Sequence, residues 1–277
     1  MLIRPEKMVP AVSGLADSVW QELSAEAEQA ASKEPKLMGI LDDVVLSRTS
    51  LGNAVAVRLA RKLSRRDMGR DELEPLIRTI LKASPQTVEC MAADLRAVVE
   101  RDAACHNALE PLLFFKGFHA MATYRVAHLL WQEGRHLLAL LFQSISSEVF
   151  GVDIHPAAQI GCGILLDHGT GFVVGETAII ENDVSLLHEV TLGGTGKEKG
   201  GARHPIVRSG VLIGAGAKVL GRVEIGECAK VAASSVVLND VRPHTTVAGV
   251  PAQEMSSSAP GDVSPALCMQ QCIDTES

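Results

Sequence analysis

An aliphatic residue recurs at every sixth position through most of the second half of the chain. With one two-residue slip and one long interruption, the series consists of Ile154, Ile160, Leu166, Val174, Ile180, Leu186, Leu192, Ile213, Val219, Ile225, Val231 and Val237. Side chains repeat every two residues along a strand and every 3.6 along a helix, so neither element explains a strict period of six. A hexapeptide β-helix does, because each hexad forms one short strand and one turn, and three hexads close a triangular coil.

The hexads also predict how this β-helix is filled. Each aliphatic side chain points inward and stacks on its equivalent in the next coil, about 4.8 Å away, which is the ordinary spacing of paired strands. Twelve hexads predict about four coils. The interruption after Leu192 is polar, glycine-rich and basic, and we expect a loop over residues 193–212. Long loops that leave a rigid repeat often carry function, and this one contains Arg203 and His204.

The first half of the chain, residues 1–150, has a helical period instead. The segment "SLGNAVAVRLARKLS" spaces apolar residues four apart, at Leu51, Val55, Leu59 and Leu63. This spacing predicts an amphipathic helix, with Ser50 as its N-cap. A later helix is predicted to stop at Gly134, and another to follow it as far as about Val149.

The composition argues against several classes of protein. A net charge of -7 argues against nucleic acid as the main partner, since phosphate binding needs a basic face. The apolar runs are too short to cross a membrane and no signal-peptide core begins the chain, so we expect a cytoplasmic protein. The cysteines form no CxxC pair, which is typical of free thiols in a reducing compartment. They are Cys90, Cys105, Cys162, Cys228, Cys268 and Cys272.

Two polar residues, Asp167 and His168, lie among glycines and aliphatic residues in "GILLDHGTGFVVGE". Leu166 takes the inward position of its hexad, so both polar side chains are predicted to lie on a turn and face outward. An Asp–His pair on a turn is either solvated surface or part of an active site. The hexad pattern alone leaves both interpretations open.

Several longer segments are more specific. They are "VDIHPAAQIGCGILLDHGTGFVVGETAIIENDVS", "VTLGGTGK", "RHP", "VLIGAGAKVLG" and "HTTVAGVPA", with "VVERD" and "PLLFFKGFHAMATYR" in the helical half. Together they resemble the serine O-acetyltransferases of cysteine biosynthesis, from about Leu15 to Pro251. The resemblance implies an α+β fold: an α-helical assembly domain, residues 1–150, and a left-handed parallel β-helix, residues 151–252, that carries catalysis.

The resemblance implies roles for six residues in acetyl transfer from acetyl-CoA to the hydroxyl of L-serine. His168 would be the general base that takes the hydroxyl proton. Asp153 would orient the ring of His168 and stabilise its charged form. The other four match groups that bind serine: two carboxylates for its ammonium group, an arginine for its carboxylate and a second histidine. These are Asp102, Asp167, Arg203 and His204.

The resemblance also implies where CoA binds and how chains assemble. CoA would run along a groove between neighbouring coil stacks, lined by Gly194, Ala215, Ala233 and Lys230. Small residues allow close approach, and the lysine offers charge to phosphates. The site would lie between chains of a homotrimer, with two trimers joined through the helical domains as a hexamer. L-Cysteine is expected as a feedback inhibitor, and no metal is expected.

Other interpretations remain at this point. An acetyltransferase for another hydroxyl acceptor, such as a sugar or homoserine, would use the same chemistry. A zinc hydratase of the carbonic anhydrase type needs three histidines around the metal, for which His168, His188 and His204 are candidates. A non-catalytic trimeric scaffold is the third. Gln253 stands where many relatives have an arginine near a CoA phosphate, so one phosphate contact lacks its usual residue.

The tail, residues 253–277, is rich in Ser, Pro and Ala with little periodicity, and we expect it to be disordered. In many relatives the tail ends in an isoleucine that enters the active site of the sulfhydrylase that makes cysteine. Here the last four residues are Asp274, Thr275, Glu276 and Ser277, and Ile273 is not terminal. Two extra carboxylates would have to be desolvated in such a pocket, so binding to the sulfhydrylase is expected to be weak or absent.

Overall fold

The computed structural model describes residues 14–196, 200–259 and 261–271. Up to Phe150 the described chain is helical. Its α-helices are α1 (Leu15–Lys33), α2 (Met38–Leu41), α3 (Leu51–Leu63), α4 (Arg70–Ala83), α5 (Pro85–Arg101), α6 (Leu109–Leu113), α7 (Lys116–Gln132) and α8 (His136–Phe150). A 3₁₀-helix, Pro35–Leu37, precedes α2, and a π-helix, Asp42–Leu46, follows it.

Local sequence sets the ends and faces of these helices as predicted. At the start of α3, Ser50 Oγ accepts a hydrogen bond from the backbone N of Asn53 at 3.3 Å. The four apolar positions of its predicted stripe are all buried: Leu51, Val55, Leu59 and Leu63. Gly134 follows α7 with a φ of 77°, a left-handed conformation that glycine adopts without steric cost. Helix α8 then begins two residues later.

From Val152 onward the chain forms short strands. They are β1 (Val152–Ile154), β2 (Gln159–Ile160), β3 (Leu165–Leu166), β4 (Phe172–Val174), β5 (Ile179–Ile180), β6 (Ser185–Leu186), β7 (Thr191–Gly193), β8 (Ile206–Val207), β9 (Leu212–Ile213), β10 (Lys218–Leu220), β11 (Glu224–Ile225), β12 (Lys230–Val231), β13 (Val236–Val237), β14 (Thr245–Gly249) and β15 (Ala252–Ser257). Each strand from β4 to β13 pairs in parallel with the strand three before it in the chain, and β14 pairs in parallel with β12.

This pairing builds three sheets around one apolar interior. Sheet 1 contains β1, β4, β7, β10 and β13, sheet 2 contains β2, β5, β8 and β11, and sheet 3 contains β3, β6, β9, β12 and β14, with β15 antiparallel at its edge. All twelve aliphatic positions of the hexad series are buried. The predicted fold, an α-helical region followed by a parallel β-helix of hexapeptide repeats, is therefore confirmed.

The β-helix has about five coils, so the prediction of four was wrong. The prediction missed the inward positions Val207 and Val247, both of which are buried. Val207 pairs in register with Ile180 below and Ile225 above. The predicted loop over residues 193–212 was therefore too long, because the coil resumes at β8. Arg208, rather than a glycine, follows Val207, which hides the point where the repeat resumes.

The helical region is fastened to the first coil by polar contacts. Arg125 of α7 binds Asp94 of α5 through two hydrogen bonds of 2.7 and 2.8 Å. Asp94 Oδ1 also accepts the backbone N–H of Ile164 at 2.9 Å, and Arg125 donates to the carbonyl oxygen of Gly161 at 2.7 Å. Both partners are almost fully buried. The pair therefore connects two helices to the turn between β2 and β3.

Close backbone packing reinforces this connection. Gly117 of α7 lies so near β3 that an added Cβ would come within 1.9 Å of the carbonyl oxygen of Leu166. Tyr124 Oη donates to the carbonyl oxygen of Ala158 at 2.5 Å. Glycine at position 117 is therefore required by space rather than by backbone conformation.

The expectation that all cysteines are free thiols was wrong for one pair. Cys90 of α5 and Cys162 of the turn between β2 and β3 form a disulfide, with 4.7 Å between their Cα atoms. They are 72 residues apart in sequence, so only the docking of α5 on the first coil brings them together. Cys105, Cys228 and Cys268 are free, and Cys272 lies outside the described residues.

The expectation of a disordered tail is contradicted for its described part. Strand β15 pairs with β14 and covers the edge of sheet 3, which satisfies backbone groups that would otherwise be open to solvent. A short helix, α9 (Pro265–Cys268), then packs on α5, and Ala266 in it is fully buried. Composition did not reveal these tertiary contacts. Residues 272–277, including Ile273 and the terminal acidic residues, lie outside the described part.

None of the helices within the described ranges is both long enough and apolar enough to span a lipid bilayer.

Candidate active site

Two corners of the β-helix carry most of the residues that the sequence analysis singled out. The first corner is the stack of turns that lead from sheet 3 to sheet 1: residues 167–171, 187–190, 214–217 and 232–235. The second corner is the stack of turns that lead from sheet 1 to sheet 2, with described residues 155–158, 175–178, 194–196, 200–205 and 221–223. Sheet 1 separates the two corners within one chain.

His168 lies on the lowest turn of the first corner, directly after β3. Its φ of 56° is left-handed, and the same conformation recurs higher in this corner at Glu189 and Ser234. The side chain is 73% exposed, and its Nε2 lies 3.8 Å from Asp167 Oδ1. The predicted outward-facing turn is therefore confirmed. The two-residue slip in the hexad series falls within this turn.

A cavity of about 270 Å³ brings Asp102 to the same place. It lies between the end of α5, the start of α7 and β3, and Asp102, Asp167 and His168 all line it. Asp102 caps the C-terminus of α5, and its Oδ1 accepts the backbone N–H of Ala104 at 2.9 Å. The apolar wall of the cavity includes Val98, Phe114, Phe115, Phe118, Leu165 and Leu166. Two carboxylates and an imidazole thus share one partly apolar pocket.

Asp167 is an electrostatically unfavourable carboxylate. Burial is the largest cause that raises its pKa above the ordinary value. The nearby charge of Asp102 raises it further, while His168 works in the opposite direction. A cation bound between the two carboxylates would relieve this cost, because each carboxylate would gain an opposite charge in a poorly solvated site.

Asp153 lies on β1, beneath the turn that carries His168. An added Cβ on Gly169 would lie 3.1 Å from Val152, the residue before Asp153, which shows how closely the turn covers this strand. Asp153 Oδ1 accepts a hydrogen bond from Gln143 Nε2 of α8 at 2.6 Å. Among the contacts of the described residues, none joins Asp153 to His168. The structure thus places the predicted orienting carboxylate near the turn and pairs it with Gln143.

His188 is a second histidine of the first corner, and its sequence context predicted no catalytic role for it. Its ring meets that of His168 edge to face, with 5.7 Å between the centroids. Its Nδ1 is buried and has no hydrogen-bond partner among the described residues. The signal was available in the hexad pattern, because His188 occupies the turn one coil above His168.

The second corner holds Arg203 and His204 in a hydrogen-bonded cluster around Thr177. Arg203 donates from Nη2 to Glu176 Oε2 at 2.7 Å. Thr177 Oγ1 accepts the backbone N–H groups of both loop residues, at 2.9 and 3.2 Å. Arg222 closes the cluster by donating to the carbonyl oxygens of Thr177 and His204, each at 3.0 Å. The end of the loop is therefore fixed on the coil.

His204 is buried within this cluster, and burial lowers the pKa of its imidazole. Its Nδ1 lies 2.9 Å from Thr177 Oγ1. Gly175 leaves room for the ring, because an added Cβ there would come within 2.1 Å of His204 Nε2. A second glycine, Gly194, faces the same nitrogen, at 3.6 Å from where its Cβ would be. Because Gly175 and Gly194 have no side chains, the Nε2 edge of the His204 ring is open to approach from their side.

The residues predicted to bind CoA are distributed over both corners and sheet 3. Ala215 and Ala233 stack in successive turns of the first corner, where Ser234 N donates to the carbonyl oxygen of Ala215 at 2.7 Å. Gly194 lies in the second corner. Lys230 begins β12 and is largely buried. The structure therefore brings the two alanines together, and separates them from Gly194 by the width of sheet 1.

The predicted serine-binding residues are also divided between the corners. Asp102 and Asp167 lie with His168 at the first corner, and Arg203 and His204 lie at the second. Among the described residues, no group of three histidine, cysteine or acidic side chains is arranged to hold a metal ion. The histidines considered for zinc are split in the same way, with His204 apart from the other two.

The chain is similar to serine acetyltransferases along most of its length. Residues 19–123 match the family described as serine acetyltransferase, N-terminal. The serine acetyltransferase of Escherichia coli K12 is 49% identical over 253 residues, which are 91% of this chain and 92% of that protein. The crystal structure of the Vibrio cholerae enzyme has a TM-score of 0.90 at 47% identity, covering 94% of this chain and 99% of that one.

Three similar structures hold ligands. A Brucella abortus serine acetyltransferase in complex with coenzyme A has a TM-score of 0.86 at 47% identity and covers 89% of this chain and 99% of its own. The soybean enzyme in complex with serine has a TM-score of 0.84 at 49% identity, with coverages of 88% and 100%. A serine acetyltransferase in complex with cysteine has a TM-score of 0.89 at 48% identity, with coverages of 92% and 98%.

The cost of ionising Asp167 gives a testable pH dependence. We expect Asp167→Asn to increase the stability of the protein at pH 8, because wild-type Asp167 is charged there in a site that disfavours the charge. The pKa of Asp167 is raised in the folded protein, so the destabilisation caused by its charge decreases as the pH falls through that pKa. The destabilisation is absent below the pKa of aspartate in the unfolded chain, about 3.9. Denaturant unfolding at pH 8 and at lower pH, at one protein concentration, measures the difference.

The control for this measurement is Asp67→Asn, which neutralises an exposed carboxylate elsewhere on the chain. A stability gain for Asp167→Asn that persists unchanged at acid pH, or that Asp67→Asn reproduces, would contradict the assignment of the cost to Asp167.

Proposed function

This chain belongs to the serine acetyltransferase family, and we propose that it transfers the acetyl group of acetyl-CoA to the hydroxyl of L-serine, giving O-acetylserine and free CoA. The observation that carries the assignment to these residues is the pocket in which Asp102 and Asp167 face the exposed imidazole of His168. A small cation with an adjacent hydroxyl fits that arrangement. A sugar without an ammonium group would not offset the charge of two neighbouring carboxylates, and no observation favours a zinc hydratase or a scaffold.

His168 acts as the general base. The imidazole removes the hydroxyl proton of serine as the oxygen attacks the acetyl carbonyl carbon, which forms a tetrahedral intermediate. When the intermediate collapses, the C–S bond breaks and the imidazolium returns the proton to the CoA sulfur. Asp153, on the strand beneath, stabilises the imidazolium once it forms. His188 lies at a ring distance that lets it contact the same intermediate.

Serine is held by charges of both signs. Asp102 and Asp167 bind its ammonium group, which offsets the cost of burying Asp167 as an anion. Arg203 binds the carboxylate through its planar guanidinium, and the ion pair with Glu176 fixes the direction of that group. His204 contributes a neutral imidazole edge beside it, consistent with its lowered pKa.

CoA lies along the first corner of one chain. The alanines at positions 215 and 233 leave an open path for CoA along the stack of turns. Gly194, in the second corner of the neighbouring chain, has no side chain and so allows CoA to lie close to that backbone. Lys230 provides positive charge toward phosphate groups. Gln253, on β15, can donate hydrogen bonds but carries no charge, so the phosphate contact of many relatives is weaker here.

The division of the site between two corners supports assembly as a trimer. Within one chain, sheet 1 keeps His168 away from Arg203. Around a threefold axis, the first corner of one chain meets the second corner of its neighbour, so each serine is bound by two chains. An apolar patch on α8, the helix whose Gln143 binds Asp153, is exposed in the single chain and would be covered in this arrangement. It consists of Leu137, Leu140 and Leu141.

Further proposals follow from the family. Two trimers joined through the helical regions would form a hexamer, and the enzyme would work in the cytoplasm. Weak or absent binding to the sulfhydrylase stays a prediction, because residues 272–277 lie outside the described part of the chain.

The role of His168 is tested by His168→Ala. We expect kcat to fall by a factor of about 10²–10⁴, the usual contribution of a general base, while CoA affinity changes little. Release of CoA thiol measures kcat, and calorimetric titration measures CoA binding. A matched control is His244→Ala, because His244 has the same left-handed φ of 56° on the turn that directly precedes β14. Retention of half the wild-type kcat in His168→Ala would remove this residue from the mechanism.

The shared site is tested by mixing two inactive variants, His168→Ala and Arg203→Ala. In a randomly mixed trimer, about a quarter of the interfaces combine an intact first corner with an intact second corner, so activity should return to roughly that fraction. The control mixture is His168→Ala with Asp167→Ala, whose changes lie in the same corner and cannot complement each other. A mixture of the first two variants that is no more active than either alone would contradict a site shared between chains.

Cysteine should compete with serine, because it differs only by sulfur in place of the hydroxyl oxygen and carries the same ammonium and carboxylate groups. We expect inhibition by L-cysteine to be overcome by raising serine at fixed acetyl-CoA. Initial rates over a grid of both amino acids measure this. Inhibition that is independent of serine concentration would place cysteine at another site.

A further inference from the structure

The disulfide between Cys90 and Cys162 lies at the seam between the helical region and the β-helix. Cys90 is in α5, and Cys162 is in the turn between β2 and β3. Both side chains are buried, at 7% and 4% exposure. The Cα separation of 4.7 Å lies within the range that a disulfide accepts. Neither residue takes part in the acetyl transfer described above.

Each end of this disulfide leads directly to one wall of the serine pocket. Helix α5 continues from Cys90 to Arg101 and ends at Asp102, the carboxylate on one wall. The chain continues from Cys162 through β3 to Asp167 and His168 on the opposite wall. The covalent bond therefore joins the two segments whose relative position sets the distance between Asp102 and Asp167.

We propose that Cys90 and Cys162 form a reversible dithiol–disulfide site that sets how firmly the two walls of the serine pocket are held together. The consequence for serine rests on the function proposed above, whereas the existence of the redox site does not. In the cytoplasm, the compartment proposed above, the glutathione and thioredoxin systems keep most thiols reduced, so the pair would be a dithiol under ordinary conditions and a disulfide under oxidising ones.

The chemistry needs only a low-molecular-weight disulfide such as oxidised glutathione. The thiolate of Cys90, the less buried of the two, attacks one sulfur of the small disulfide and expels a small thiolate. The thiolate of Cys162 then attacks Cys90 Sγ, which forms the protein disulfide and expels the second small thiolate. Two electrons pass from the protein to the small disulfide, and the two protons lost by the cysteines are taken up by the two expelled thiolates.

The reduced protein remains folded, because other contacts hold the same seam. Asp94 accepts the backbone N–H of Ile164 at 2.9 Å, and Arg101 donates to the carbonyl oxygen of Gly163 at 3.0 Å. Loss of the disulfide therefore loosens α5 without releasing it. The effect should therefore be on the KM for serine, because the serine pocket lies between the two segments that the disulfide joins. It should spare CoA, because Ala215 and Ala233 lie on higher coils that α5 does not reach.

The experiment compares the full-length enzyme after equilibration with oxidised glutathione and after reduction with dithiothreitol. Alkylation under denaturing conditions followed by peptide mass analysis gives the state of Cys90 and Cys162 in each sample. We expect a disulfide after oxidation and two alkylated thiols after reduction. Reduction should raise the KM for serine by about threefold to tenfold, the range that ordering one flexible side chain costs in binding. The KM for acetyl-CoA should not change.

Two variants separate this pair from the other cysteines. Cys90→Ser with Cys162→Ser should have the serine KM of the reduced wild type under both conditions. Cys228→Ser with Cys268→Ser keeps the pair and removes two free thiols, so it should respond to oxidation as the wild type does. A response that persists in the first variant or vanishes in the second would assign the effect to other thiols and overturn the proposal.

The remaining outcomes are equally decisive. If the peptide masses show two free thiols after oxidation, the redox site does not exist. If the disulfide forms and breaks but the serine KM is the same in both states, the coupling to the pocket is wrong. If neither state acetylates serine, the proposed function fails. The disulfide is then still tested by peptide mass and by thermal unfolding, which should occur several degrees higher in the oxidised protein.

Discussion

The buried ion pair between Asp94 and Arg125 is the interaction on which the arrangement of this chain depends. It joins α5 to α7 and, through Ile164 and Gly161, joins both helices to the first coil. A buried charge left without its partner costs about 3–5 kcal/mol, so the two helices and the coil are stable only when they are docked together. The orientation of the helical region on the β-helix follows from this requirement.

The pocket at the first corner is a consequence of that docking. Asp102 comes from the end of a helix, whereas Asp167 and His168 come from a turn of the β-helix, and no local rule relates them. Gly117 allows α7 to approach β3 without a side chain between them, which closes the back of the cavity. The result is a pocket with two carboxylates that repel each other, and a cation bound between them would relieve this repulsion.

The second corner is organised differently, by the coil itself. Thr177, on a turn of the second coil, accepts the backbone N–H groups of Arg203 and His204 and so fixes the end of a loop that leaves the third coil. Glu176 directs the guanidinium of Arg203. The rigid coil thereby holds the end of the loop in a defined position through these hydrogen bonds. Sheet 1 lies between the corners, and this separation is the observation on which the proposed sharing of the site between two chains rests.

The sequence alone determined the β-helix, the burial of every hexad position, the outward-facing turn at His168 and the N-cap at Ser50. These depend on periodicity or on neighbouring residues, which are local properties. Only the tertiary structure decided the pairing of Cys90 with Cys162, the packing of the tail on α5 and the place of Val207 in a fifth coil. These depend on contacts between segments far apart in sequence. A pattern along the chain does not tell which distant segments come together in space. The division of the candidate site residues between two corners belongs to the second group, because it follows from which sheets of the triangular coil each turn connects.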